Sequence, residues 1–223
     1  MALREIAGPA GRLEALLDEP QPDRRVEADG LVYNGQTAGV RAAVVLGHPH
    51  TEYGGTMHTK VVYQAAKALN RIGCAVLRIN FRGAGASAGS FSGGPGEKDD
   101  FRAALDFMHQ RYPGARMWAA GMSFGAWIGL SVGADDPRTS TLIGIALPIA
   151  TYDWEAVRTS SKPKFFIHGE RDELCPLKDM REFYARAAEP KELVVIDGAD
   201  HLFDGKVSEV ADAIEDLLGD WSG

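Results

Sequence analysis

Six short apolar runs alternate along this chain with segments whose apolar residues recur at helical spacing. No other feature restricts the fold as much. The runs are RAAVVLG (41–47), CAVLRINF (74–81), RMWAAG (116–121), LIGIALPIA (142–150), KFFIHG (164–169) and ELVVIDG (192–198). A strand that reads as almost continuously apolar has to be covered on both faces, which is the condition of a parallel sheet between helices. The intervening segments supply those helices. Val62, Ala65, Ala66 and Leu69 fall on one helical stripe. So do Phe101, Ala104, Leu105 and Met108, then Met180, Phe183, Tyr184 and Ala187, and last Val207, Val210, Ile214 and Leu217. SFGAWIGLSVG reads as a helix starting at Ser123. Strand–helix alternation of this kind predicts an α/β fold with helices on both faces of the sheet.

The first residues break the pattern. REIAGPAGRLEALLDE (4–19) places two extended pieces about a Gly-Pro-Ala-Gly turn and predicts an antiparallel hairpin at the sheet edge. Together with the six runs this makes an eight-stranded, mostly parallel sheet. Residues 20–39 read either as a loop or as a loop holding a small strand at LVY. Their expected role is edge protection or homodimerisation, because they enter the first parallel strand at its amino end. No linker or repeat divides the 223 residues, so one domain is expected over 1–223.

Composition excludes several functions. The net charge is −7 with no basic block, which argues against nucleic acid. The apolar runs are too short to cross a bilayer, and MALREIAGPAG carries charges where a signal peptide needs an apolar run. Two cysteines, Cys74 and Cys175, make no disulfide framework, so a reduced cytoplasmic protein is expected.

The chemistry centres on GMSFG (121–125), where Ser123 stands at a strand-to-helix junction between Gly121 and Gly125. A residue at such a corner is forced toward positive φ, and flanking glycines remove the β-carbons that would collide with neighbouring backbone. The serine hydroxyl is then presented above the carboxyl end of the sheet, beside the amides of a helix N-terminus. The motif alone is weak: 26 glycines and ten serines in 223 positions give about 0.14 matches by chance. Its position supplies the weight. A serine nucleophile needs a base and the base an orienting acid. Asp172, in HGERDELCP, and His201, in DGADHLF, follow the next strands but one and two, in the order Ser, Asp, His. Glu170 and Glu173 are rival acids, and Asp200 adjoins the histidine it would have to face. Phe124, next after the nucleophile, offers one oxyanion amide, and the loop GHPHTEYGG offers the other.

These stretches, with GHPHTEYGGTM (47–57) and NFRGAGASAGSF (80–91), resemble the α/β-hydrolase superfamily from about residue 40 to the end. The likeness is greatest to small, lidless serine hydrolases related to dienelactone hydrolase, whose own nucleophile is a cysteine. The resemblance aligns His48-Pro49 with the usual His-Gly of the oxyanion loop. Since Pro49 has no N–H, the second donor falls to His50, with Thr51 behind it. His48 is expected to brace its loop, and Arg82 to brace adjoining loops rather than bind substrate. His48 and His50 could share a metal, but no third ligand follows, and none is expected. GAGASAG lacks the residues of a phosphate loop, so no cofactor is expected. TYDWEAVRTSS (151–161) is too short for a helical cap. An open cleft lined by Tyr53, Phe124, Tyr152, Trp154 and Leu202 is expected, although these aromatics could equally be core packing. The implied activity is hydrolysis of small carboxylic esters of short or medium acyl groups. A peptidase or thioesterase with the same triad, or a non-catalytic binding module, remains an alternative.

Overall fold

The computed structural model describes residues 4–20 and 39–221. The expected 20–39 segment, with its LVY strand and its role at a dimer edge, lies almost wholly outside them. Strands β1 (Glu5–Gly8) and β2 (Gly11–Asp18) form the antiparallel hairpin. Then follow β3 (Ala42–Gly47), α1 (Lys60–Arg71), β4 (Ala75–Ile79), α2 (Pro95–Arg111), β5 (Arg116–Met122) and α3 (Phe124–Asp135). The chain closes with β6 (Thr139–Ile145), α4 (Glu155–Thr159), β7 (Lys164–Gly169), α5 (Leu177–Arg186), β8 (Lys191–Ile196) and α6 (Val207–Leu218). One sheet carries all eight strands in the order β1-β2-β4-β3-β5-β6-β7-β8. Among the described residues, β1 pairs with β2 and β2 with β4 antiparallel, and the other pairings are parallel.

The hydrophobic stripes explain how the layers close. α1 and α6 bury Val61, Val62, Ala65, Leu69, Val210 and Ile214 on one face of the sheet. On the other face, α2, α3 and α5 bury Phe101, Leu105, Met108, Ile128, Leu130, Met180 and Phe183. The α6 stripe is turned by one residue from expectation: Ala211 and Leu218 are buried, while Val207 and Leu217 are only partly so.

β6 differs from the expected 142–150 run. It begins earlier, at Thr139, and stops at Ile145. Ala146 takes a φ of 51°, and Pro148 follows, so residues 146–150, more than half of the apolar run, are loop. Among the described residues, no helix is long and apolar enough to cross a membrane.

This strand order decides where the chemistry goes. β3, β5 and β6 are neighbours at the centre, with Gly47 opposite Gly121 and Gly121 opposite Gly144. Their carboxyl ends therefore deliver three loops to one spot, and β7 and β8 bring two more from the same rim.

Candidate active site

Ser123 sits between β5 and α3 with φ 55° and ψ −121°, a strained conformation for a residue with a side chain. The two glycines show why the corner can exist. A β-carbon on Gly121 would collide with the Gly125 carbonyl, and one on Gly125 would collide with the backbone of Gly47 and His48. The start of α3 thus lies directly against the loop after β3. Among the described residues, two other non-glycine residues have positive φ: Ala146 at 51°, next after β6, and Phe203 at 55°, two residues past His201.

The three expected side chains converge. The Ser123 hydroxyl donates to Nε2 of His201 at 3.0 Å, and Nδ1 of His201 donates to Oδ2 of Asp172 at 2.8 Å. All three residues are buried. The other carboxylate oxygen of Asp172 accepts the Leu174 and Cys175 amides, both at 2.9 Å. Burial alone would raise the Asp172 carboxyl. The His201 hydrogen bond and charge, the Cys175 amide and nearby His168 outweigh it and hold the group below the usual carboxylate range.

The rival acids have other work. Glu170 accepts the Gly198 amide at 2.8 Å, and Glu173 faces the backbone amide of His201 at 3.4 Å. Asp200 folds back on the amides of Leu202 and Asp204, shaping the turn that carries His201. Behind the acid, and unforeseen from the sequence, lies His168 at the end of β7. It is buried, and its Nε2 donates to the Cys175 carbonyl at 2.8 Å while standing 3.8 Å from Asp172 Oδ2. Burial pushes its imidazole below the usual value.

The loop after β3 is braced as expected. His48 is fully buried; its Nε2 accepts the Phe81 amide at 3.0 Å, and its Nδ1 donates to the Pro49 carbonyl. Both ring nitrogens are thereby used, and burial pushes the imidazole down to about 4. Among the described residues, no cluster of His, Cys, Asp or Glu is arranged to hold a metal. His50 opens the 3₁₀ turn Thr51–Tyr53, and its carbonyl accepts the Tyr53 and Gly55 amides. Nδ1 of His50 and Oγ1 of Thr51 are buried without a partner among the described residues. Phe124 is the first residue of α3, so no carbonyl within that helix can accept its amide. Arg82, expected to brace adjoining loops, instead ties its loop to α2, its guanidinium donating to both carboxylate oxygens of buried Asp100 at 2.7 and 3.0 Å.

The expected cleft residues divide. Tyr53 and Leu202 are 87% and 50% exposed, and Tyr152 is half-buried. Phe124 and Trp154 are corrections. The Phe124 ring is fully buried. Trp154 too is buried in the core, its indole N–H turned toward the Pro148 carbonyl and its ring edge-on to Phe183. Its partner in that position is core, because the 151–161 segment folds into the short helix α4 and turns Trp154 inward. Sequence reasoning missed Trp127 and Phe91. Trp127 stacks on Tyr152 with ring centroids 4.2 Å apart, and Phe91 packs on His50 and Phe124. Trp127 stands four residues after Ser123, one helical turn along, on a helix buried nearly all round.

A mostly parallel eight-stranded sheet with a strained serine at its central strand-to-helix corner, and no cap domain, defines an α/β serine hydrolase. A model of the family described as serine aminopeptidase, S33, matches residues 38–158, and the chain belongs to that family. An uncharacterized protein of Rickettsia prowazekii is 37% identical over 206 residues, 88% of this chain and 85% of its own. Among solved structures, an α/β serine hydrolase homologue from Coxiella burnetii superposes with a TM-score of 0.85 at 31% identity, covering 98% of each chain. A lidless α/β serine hydrolase from Xanthomonas campestris superposes with a TM-score of 0.84 at 32% identity, covering 97% of this chain and 92% of its own.

Proposed function

We propose that the chain hydrolyses carboxylic esters of small molecules through Ser123, His201 and Asp172. The observation that carries this reading is the unbroken hydrogen-bonded line from the serine hydroxyl through the imidazole to the carboxylate, at 3.0 and 2.8 Å. In the first step Ser123 Oγ bonds to the ester carbonyl carbon while its proton passes to His201 Nε2. Asp172 holds the imidazole and stabilises its charge. Negative charge on the carbonyl oxygen is met by the Phe124 and His50 amides, each worth on the order of 3–4 kcal/mol. The ester C–O bond then breaks, and His201 returns the proton to the departing alkoxide. Water, deprotonated by the same imidazole, attacks the acyl-enzyme and releases the acid and a free serine. No cofactor or metal enters these steps. Free, buried Cys74 and Cys175 support a cytoplasmic setting.

The family description favours a second reading, release of an N-terminal amino acid from a peptide. That reaction must also hold a substrate ammonium group. Glu170, Glu173 and Asp200, on the loops after β7 and β8, are instead turned onto backbone amides, which supports the ester. A fluorophosphonate probe should label the protein at Ser123 and fail to label Ser123→Ala. Esters, aminoacyl anilides and acyl thioesters compared as substrates should rank esters first. Absence of labelling removes the hydrolase mechanism, and faster anilide cleavage replaces the ester with the peptide.

A further inference from the structure

His48 and His168 are both fully buried, yet they are used differently. His48 bonds through both ring nitrogens, and both bonds hold the loop after β3. His168 bonds through one. Its Nε2 lies 2.8 Å from the Cys175 carbonyl, which can only accept. Nε2 therefore carries the proton, and Nδ1 is the bare nitrogen of a neutral ring. Nδ1 is buried and finds no protein partner among the described residues. The one protein bond of this ring is thus directed at Cys175.

Cys175 is also where the acid is held. Its amide and that of Leu174 donate to Oδ1 of Asp172, both at 2.9 Å, which leaves Oδ2 for Nδ1 of His201 at 2.8 Å. One residue is therefore gripped twice along its backbone: the carboxylate holds its amide and the imidazole holds its carbonyl. His168 belongs to β7, which is paired with β6 on one side and β8 on the other. Asp172 and Cys175 lie in the loop between β7 and α5. The His168 bond carries the rigidity of the sheet into that loop. The same Nε2 stands 3.8 Å from Asp172 Oδ2, the oxygen that faces His201, so a charged ring here would compete with His201 for the carboxylate. Burial holds the His168 imidazole below its usual value although the Asp172 carboxylate draws it up, and a charge on His201 opposes its protonation further. Those two side chains, on the loops after β7 and β8, are the titratable groups acting on it among the described residues. A neutral ring fastens Asp172 without drawing its charge away from His201.

Resting on the ester-hydrolase reading, we infer that His168 is a positioning residue for the acid: its neutral ring ties the Cys175 backbone to β7 and so aims the Asp172 carboxylate at His201. Steady-state kinetics on an ester that wild-type protein turns over, with active sites counted by fluorophosphonate labelling of Ser123, separates misdirection from misfolding. His168→Leu should lower kcat per labelled site about 30-fold and change KM less than about 3-fold, because the acid acts on charge that forms only during reaction. Its acid-side half-point of kcat/KM should move to lower pH by about half a unit, since a carboxylate aimed less well favours an imidazolium less. His168→Gln, which keeps an N–H at the place of Nε2, should return kcat to within about 3-fold of wild type. In wild-type protein, nitrogen NMR of the His168 ring should show a proton on Nε2 and none on Nδ1 at pH 7, a measurement that needs no variant to fold. An unchanged kcat in His168→Leu, an acid-side half-point that fails to fall, no rescue by His168→Gln, or a proton on Nδ1 overturns the inference, while labelling and turnover by the wild type leave the hydrolase standing. Wild-type protein that neither takes the label nor turns over any ester overturns both.

Discussion

The two sides of the site are held together by different physics. On the nucleophile side, backbone lies against backbone: Gly121, Gly125 and Gly47 bring β5, α3 and the loop after β3 to distances that a single β-carbon would destroy. The buried side chain that fastens this loop, His48, is bonded as a neutral ring. On the acid–base side, carboxylates do the fastening. Glu170, Asp172, Glu173 and Asp200 together accept six backbone amides from the loops after β7 and β8. Gly169 also lies against the Ala199 and Asp200 carbonyls, so the acid–base side adds charge to shape, whereas the nucleophile side rests on shape. The nucleophile side should therefore fail when volume is added, and the acid–base side when charge is removed.

The largest expected effect is on the charged side. Asp172→Asn should lower kcat by about 10⁴-fold with little change in KM, because the lost interaction is with an imidazolium that forms only during reaction. Steady-state kinetics on any ester that wild-type protein turns over checks this, and a loss below about 10-fold would show that a rival carboxylate can serve. Next comes the shape-held side. Gly125→Ala should destabilise the fold by about 3 kcal/mol and abolish Ser123 labelling, measured by urea unfolding and the fluorophosphonate probe.

Acid should then separate the two sides by pH window. His48 is lowered in the folded protein from 6.5 to about 4. The unfolded chain thus takes up the proton first, and stability present above pH 6.5 is lost as pH falls toward 4, by about 3 kcal/mol. His168, lowered by burial, acts in the same direction. Asp172, held below 3.8, gives stability that persists above that value and is lost only as pH falls beneath it. Urea unfolding between pH 7 and 4 should show the first loss in wild type and a smaller one in His48→Gln. A flat profile would mean that His48 is not the neutral brace. The smallest effect is expected for Glu170→Gln, where an exposed carboxylate gives up one charged bond to Gly198: about 1 kcal/mol or less by the same assay.

The difference between the sides also governs what the sequence reveals. Charge-held and strain-held features leave local marks. GMSFG, Asp172 and His201 could be placed because each follows an apolar run, and the β3, β5 and β7 runs could be read because a strand covered twice is apolar throughout. Packing decisions across the cleft leave no such mark. Trp127 lies on α3, a helix apolar nearly all round, so its spacing does not tell which face meets the cleft. Trp154 looked like a loop aromatic, and only the formation of α4 turns it into the core. Phe91 is surrounded by glycine and serine with no period to read, and its position depends on Glu97, which accepts Ser92 and Gly94 amides from the start of α2. The early start of β6 was hidden because Thr139 and Thr141 are polar by name yet buried in the sheet.

Leu202, half-exposed next to His201, and the absence of a cap over residues 146–163 have a further consequence for what can reach Ser123. Among the described residues no domain roofs the rim of the sheet where Ser123, His201 and Asp172 meet. A carbonyl carried on a bulky molecule, a sugar chain or a surface included, would then meet no lid on its way to the serine.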